Sequence, residues 1–461
     1  MAIIIALPIF KNIQSLNICI AADLSSKLVT LNEAIDMAFN MHEDPKVMFE
    51  SIQKASIQKN KSFSFLMPSL YFEQSFTYLH PQINLSFPDI GTSSFLPDET
   101  WRRSLTLRQP IYEGEFYPSF RVGKEGIMLA KDQYAFTVKE LLFSVTQDYY
   151  EVLKTKALVN VAIENLKLTA QTLKDAKERY KAGTVTKTDV LRAEVQKAEV
   201  EQMLVSAKND LLAAKKLLGR MIGIKEYKTI ETISPETFSD KLRTSKLPIN
   251  KLFELAISQR DDLKARVQEV EVAKWARRQV SGRFHPMLSL DVSYLGIDPE
   301  NPTETTDSYA VLFSITVPIF ESGTRVFDLQ TTARNIIQSR LSYERTKKDI
   351  EVEIVSSVLQ IDTLRQNLKT LQKEVELSRE SYDLTSKQYR VGVASSLDVQ
   401  QTLTQLITTK NQLIMQTYDY EVSLLNLERS VGLFAKTYGK KFPKDVYTLT
   451  HKSVLHRLKE D

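Results

Sequence analysis

The sequence predicts a mainly α-helical chain with a small β part, built from duplicated units of two strands and a long helical hairpin. Three observations predict it. First, "YKAGTVTKTDV" (180–190) returns as "YRVGVASSLDV" (389–399), and "LRQPIYEGEF" (107–116) returns as "ITVPIFESGT" (315–324), in the same order and at near-equal spacing. Second, apolar residues recur at intervals of three and four over about Phe120–Tyr180 and Arg325–Tyr389, with no proline inside either stretch. Third, only 13 of the 461 residues are Gly and 15 are Pro, so turns are few and elements are long.

Composition narrows the function classes. Lys+Arg number 61 against 57 Asp+Glu, a net charge of +4, which gives no basis for a nucleic-acid partner. Cys19 is the one cysteine, so neither an internal disulfide nor a Cys-based metal motif is available. The histidines (His42, His80, His285, His451, His456) are scattered. There is no Gly-rich phosphate loop, ligand cluster or nucleophile elbow, so neither an enzyme nor a cofactor is expected. The adjacent acids Asp261 and Asp262 read as a solvated helix face.

Residues 1–22 form a candidate signal peptide, with Ala21 or Ala22 at its end. A lipoprotein role for Cys19 is the weaker option, because Ile18 stands where a small residue is wanted. No apolar run reaches the ~20 residues of a transmembrane helix.

The first repeat, 23–247, opens with the helical stretch "LNEAIDMAFNMHEDPKV" (31–47). Strands follow at 68–79 and 101–109, then a helical hairpin at 119–218 and a belt segment at 219–247. The second repeat, 248–435, opens with "INKLFELAISQRDDLKA" (249–265), and has strands at 287–295 and 308–317 and a hairpin at 322–431. Residues 436–461 are a basic belt or tail segment. Each long helix of about 60 residues makes a rod of ~90 Å. Length alone suggests that the helix ending near Leu218 stacks on the one at 250–280, and that the helix at 31–59 stacks on the one after Asp398.

The strands alternate. Leu288, Leu290, Val292 and Tyr294 interleave with Ser289, Asp291 and Ser293, and the other three strands behave alike. Such strands suit a transmembrane barrel with a wet lumen, or equally an amphipathic soluble sheet over a helix layer. The smallest membrane barrels have about eight strands, so four can only serve a barrel shared between copies. Three copies give twelve strands, with the helices closing around the same axis. On the membrane reading, the expected fold would be a trimeric α-barrel tunnel plus a shared 12-stranded β-barrel.

The repeated P-I-[YF] step into a long helix, and Y-[KR]-x-G-x-x-[TS]-x-x-D-V at the hairpin turn, resemble the TolC family of outer-membrane efflux proteins. The resemblance covers about residues 28–435 and includes the duplication. It implies a homotrimer whose barrel meets outer-membrane lipid in a Gram-negative-type bacterium, while most of the chain forms a periplasmic tunnel. It further implies a passive exit duct for a tripartite efflux pump or a one-step secretion system. Such a duct is opened by a periplasmic adaptor and an inner-membrane transporter.

The two turn motifs have a local logic. Gly183 and Gly392 end the long helices, where a positive φ is wanted. Thr186 with Asp189, and Ser395 with Asp398, then form capping boxes on the returning helices. The resemblance implies that these turns form the periplasmic tip. Asp398 would contribute to an acidic ring at the aperture, where Tyr389 and Gln401 also lie. Gly183, Thr184, Val185, Gly392, Val393 and Ala394 would meet the adaptor. Two positions depart from the family pattern: Gln401 replaces a second acidic residue, and Ala394 replaces a basic one. The competing expectation is a soluble periplasmic helical scaffold or adaptor-like protein, which would stay in solution without detergent.

Overall fold

The computed structural model describes residues 27–80, 84–87, 91–94, 99–232, 247–299 and 306–434. The candidate signal peptide with Cys19, most of the first belt segment after Thr232, and the tail from residue 436 lie outside the described residues.

The first repeat runs β1 (Lys27–Val29), α1 (Leu31–Met41), α2 (Glu43–Lys61), β2 (Ser69–Tyr78), the short pair β3 (Asn84–Phe87) and β4 (Gly91–Ser94), β5 (Glu99–Tyr112), α3 (Phe116–Lys181), α4 (Lys187–Met221) and β6 (Ile230–Thr232). The second runs α5 (Ile249–Gln259), α6 (Asp261–Gly282), β7 (Met287–Pro299), β8 (Thr306–Thr316), α7 (Thr324–Arg390) and α8 (Ser396–Ser430). No helix among the described residues is long and apolar enough to cross a membrane. At 66 and 67 residues, α3 and α7 are rods of ~100 Å.

Four strands form one sheet in the order β2-β5-β7-β8, antiparallel throughout. The two repeats therefore meet edge to edge at β5 and β7. The strand expected at 101–109 extends to Tyr112, with a register shift between Pro110 and Tyr112, where proline has no N–H to donate to the ladder. Register puts Leu70, Leu107, Val292 and Val311 in one row, and Phe72, Leu105, Tyr294 and Tyr309 in the next, on one face. The opposite face carries Glu73, Thr106, Arg108, Asp291 and Ser293, with Arg108 Nε donating to Asp291 Oδ1 across the strands at 2.8 Å. On the apolar face Tyr294 and Tyr309 pair at 5.2 Å, and Phe76 and Trp101 at 4.8 Å. These rings suit the headgroup level of a bilayer.

The helices continue the strands in the same order. Next to the sheet, α2, α3, α6 and α7 pack in a row, and toward the far end the row is α4, α3, α8 and α7. The stacking expected from length is exchanged. Arg260, at the start of α6, donates to the carbonyl of Ser430 at the end of α8, at 3.0 Å. The end of α4 meets Met41, just before α2. So α6 sits on α8 and α2 on α4, each within its own repeat. Two candidate columns of similar length could not be told apart by length. The repeat resolves the choice, because α1 and α5 are equivalent 11-residue helices that end in the same extended break.

Apolar packing follows the repeat. One core gathers Ile35 and Ala38 of α1, Val138 to Leu153 of α3 and Leu218 of α4, beneath the parallel pair β1–β6. The other gathers Leu252, Leu263, Ile350, Ile354 and Leu427. Where β5 turns into α3, Gly114 and Gly282 bring two backbones so close that a Cβ on either would overlap the other.

Candidate tunnel aperture at the paired hairpin tips

Both long helices end by the same backbone device. Gly183 has φ +75° and Gly392 φ +85°, a region that costs glycine little and other residues more. The N–H of Thr184 donates to the carbonyl of Arg179 at 3.0 Å, and that of Val393 to the carbonyl of Gln388 at 2.9 Å, closing the helix ends. Each returning helix starts with a reciprocal cap. The Asp189 carboxylate accepts from the Thr186 backbone at 2.9 Å and hydroxyl at 2.8 Å. The Asp398 carboxylate accepts from Ser395 in the same way, at 2.8 and 2.7 Å.

The tips also bind each other. Ser396 Oγ donates to Asp189 Oδ1, joining the start of α8 to the start of α4. The Arg179 guanidinium lies 4.5 Å over the Tyr389 ring, joining α3 to α7. Below it, Val200, Tyr382, Tyr389, Val399 and Leu403 form an apolar cluster that includes parts of Val185 and Ala394. The bond from Ser396, followed by those from Thr186, holds the Asp189 carboxyl below its ordinary pKa. The Ser395 bonds do the same for Asp398. Burial raises the Tyr389 phenol.

Each expected site residue has a definite place. Gly183, Thr184, Gly392 and Val393 are exposed at the turns, whereas Val185 and Ala394 are half-buried against the cluster between the hairpins. Asp398 and Gln401 are exposed on α8. Tyr389 is 5% exposed, inside the protomer beneath Arg179, and does not reach its surface. Sequence reading missed Arg179 and Ser396. Their signal was available in the differences between the two motif copies: Arg179 stands opposite Gln388, and Ser396 opposite Lys187.

Higher up, where α6 meets α8, a charge network ties four helices. Arg260 bonds Asp262 at 2.8 Å and Glu353 at 2.5 Å, and Arg429 bonds Glu140 at 3.0 Å and Glu353 at 2.6 Å. Asp261 is buried between Lys139 and Lys264. The solvated face expected for Asp261 and Asp262 is therefore an interior junction: the break at Arg260 places them at the start of α6, against three other helices. Nearby Asp132 is 4% exposed, and burial, then the charge of Asp261, raises its pKa to about 6. Because the folded-state value exceeds the ordinary 3.8, Asp132 contributes stability below about pH 4 that is lost as pH rises to about 6. Asp132→Asn should remove about 3 kcal/mol from the pH dependence of unfolding over that window, read from thermal midpoints of the protein in detergent.

The sequence profile described as outer membrane efflux protein matches residues 78–224 and 252–433. The chain belongs to the outer membrane efflux protein family. The matched segments fall one in each repeat. TolC of Vibrio cholerae is 23% identical over 356 residues, covering 75% of this chain and 78% of that protein. The alkaline protease secretion protein AprF of Pseudomonas aeruginosa is 21% identical over 241 residues, 49% of this chain and 47% of that one. The crystal structure of the CmeC outer membrane channel of Campylobacter jejuni superposes with a TM-score of 0.74 at 16% identity, covering 93% of this chain and 90% of that chain. The chain is thus an outer-membrane efflux or secretion duct of TolC-type fold, and not an enzyme.

Proposed function

We propose that three copies form a passive exit duct that completes a tripartite efflux pump or a one-step secretion system. A periplasmic adaptor and an inner-membrane transporter open it. Most of the chain would lie in the periplasm. The observation that carries this is the match between sheet and wall. Four strands continue into four helical columns in the same order, so any ring that closes the barrel also closes a tunnel below it. The similarity to AprF supports a protein cargo, and the match to the outer membrane efflux protein profile supports an efflux channel. The test is the native mass after detergent extraction from an outer-membrane fraction. A detergent-dependent trimer is expected; a monomer that needs no detergent would return the soluble scaffold.

The closed tip would bring three Asp398 carboxylates near the axis. They are exposed and remain ionised, so they favour cations. Asp398→Asn should lower the cation-to-anion permeability ratio several-fold in planar bilayers at low salt. An unchanged reversal potential in a salt gradient would leave Asp398 as a helix cap alone.

A further inference from the structure

The chain has two tryptophans, Trp101 and Trp275. Trp101 stands on the apolar face of β5 near one end, and Tyr112, paired with Leu288 on that face, stands at the other. At ~3.4 Å per residue and a tilt of ~40°, the two lie ~29 Å apart across the membrane, close to the ~25 Å apolar band of an outer-membrane barrel. Trp275 lies beyond the lower end of the sheet, near the end of α6, with Tyr117 of α3 edge-on to it at 5.9 Å. Two guanidiniums rest on its indole, Arg121 of α3 at 4.3 Å from the ring centre and Arg278 of α6 at 4.2 Å. Stacking occupies the flat side of a guanidinium and leaves its edge N–H groups to donate. Arg121 gives one of them to Glu125 at 3.0 Å, and its Nε is buried with no acceptor among the described residues. Arg278 is exposed and has no carboxylate partner among the described residues. Lys124, one turn on from Arg121, is exposed as well.

We infer that Arg121, Lys124, Arg278 and Trp275 form a binding site for a phospholipid with an anionic headgroup, in the leaflet that faces the periplasm. The inference rests on the membrane barrel proposed above and adds a lipid to it.

Three observations select a lipid phosphate as the occupant. The first is depth. Arg121 is five residues into α3 and Arg278 four from the end of α6, so at ~1.5 Å per residue they stand ~8 and ~6 Å below the sheet. The headgroup layer of a bilayer adds ~6 Å beyond the hydrocarbon on each side. The second is the face. The helix α1 and the β1–β6 pair cover the side of α3 that carries Val138. A ring of about twelve columns ~10 Å apart has a radius of ~19 Å, and three such layers inside it would block the bore, so that side is the outside. Nine residues make about two and a half helical turns. Leu129, nine before Val138, therefore faces the bore, and it lines one groove with Glu269 and Val272 of α6. Arg278, nine after Glu269, faces outward again, and so does Lys124, about four turns before Val138. Both α3 and α6 are inner columns of the row, so a neighbouring copy does not cover the site. The third is charge. Around the indole, Arg121, Lys124 and Arg278 stand against Glu125, while Glu271 is paired with Lys274 at 2.9 Å. The excess of cations favours a phosphodiester with no cation of its own, as in phosphatidylglycerol or cardiolipin, over phosphatidylethanolamine, whose ammonium the arginines repel. Indole itself prefers the headgroup level.

The test uses the full chain carrying Trp101→Phe, as the trimer in non-ionic detergent, so that Trp275 is the sole indole. Its fluorescence is followed as dioctanoyl phosphatidylglycerol, dioctanoyl phosphatidylethanolamine or inorganic phosphate is added. Phosphatidylglycerol should give a saturable change. Phosphatidylethanolamine should need at least tenfold more, and inorganic phosphate should give no change at equal concentration. Arg278→Gln and Lys124→Gln, both at exposed positions, should each raise the phosphatidylglycerol midpoint several-fold, with native mass unchanged. A midpoint that neither variant moves overturns the site, as does the lack of a saturable change in the parent trimer. Equal midpoints for the two lipids overturn the anionic headgroup, and an equal response to inorganic phosphate overturns the lipid. In each of these cases a detergent-dependent trimer leaves the duct standing. A native monomer that needs no detergent overturns the duct together with the site.

Discussion

Asp189→Ala is expected to open the tip. The Asp189 carboxylate accepts three bonds at once: two from Thr186, in the cap of its own helix, and one from Ser396 on the other hairpin. Loss of the cap costs about 1 kcal/mol, and loss of a charge-assisted bond about 2 kcal/mol more. At 1.4 kcal/mol per tenfold, the ~2 kcal/mol of the lost bond between hairpins shifts the balance between joined and parted hairpins by roughly thirtyfold in each copy. Single-channel conductance in planar bilayers should rise several-fold, and cells should become sensitive to large antibiotics that the outer membrane excludes. Two further variants separate cap from latch. Ser396→Ala removes the bond between hairpins and keeps the cap, and should also leak. Thr186→Ala weakens the cap and keeps the bond, and should not. A Ser396→Ala channel with parental conductance would end the latch. Arg179→Ala should add to the leak, because its guanidinium is a further tie between the tips, stacked on Tyr389.

The hairpin turns were legible because their chemistry is local. Glycine, hydroxyl cap and aspartate lie within seven residues, and the stretch occurs twice. The strands were legible from period-two alternation, and four of them could serve a membrane barrel only if more than one copy contributed. What the sequence could not yield was contact between distant segments. Asp189 and Ser396 are far apart in the chain, and each alone reads as an ordinary turn residue. The stacking of columns failed for the same reason, since lengths agree for either pairing and contacts such as the Arg260–Ser430 bond decide. Asp261 misled because a charge cluster in a helical stretch usually faces water, whereas here two lysines and a helix start accompany it inside.

Val393→Arg is the sharpest probe of adaptor docking. Val393 is 77% exposed at the very turn of the second hairpin, and Val391 beside it is 75% exposed. An apolar side chain so uncovered at the end of a ~100 Å rod is little packed by its own chain, so an arginine there should change stability by no more than about 0.5 kcal/mol. In a docked pump the same arginine would put a charge into a helix-tip contact that excludes water, in every copy of the ring, and an unpaired buried charge is strongly unfavourable. Export should therefore fall at least tenfold while trimer yield and thermal midpoint stay at parental values. Val185→Arg is the contrasting variant. Val185 packs against the cluster of Val200, Tyr389 and Val399, so its replacement should lower yield together with export. Parental export by a Val393→Arg trimer would remove this turn from the docking surface and move the search to the sides of the hairpins.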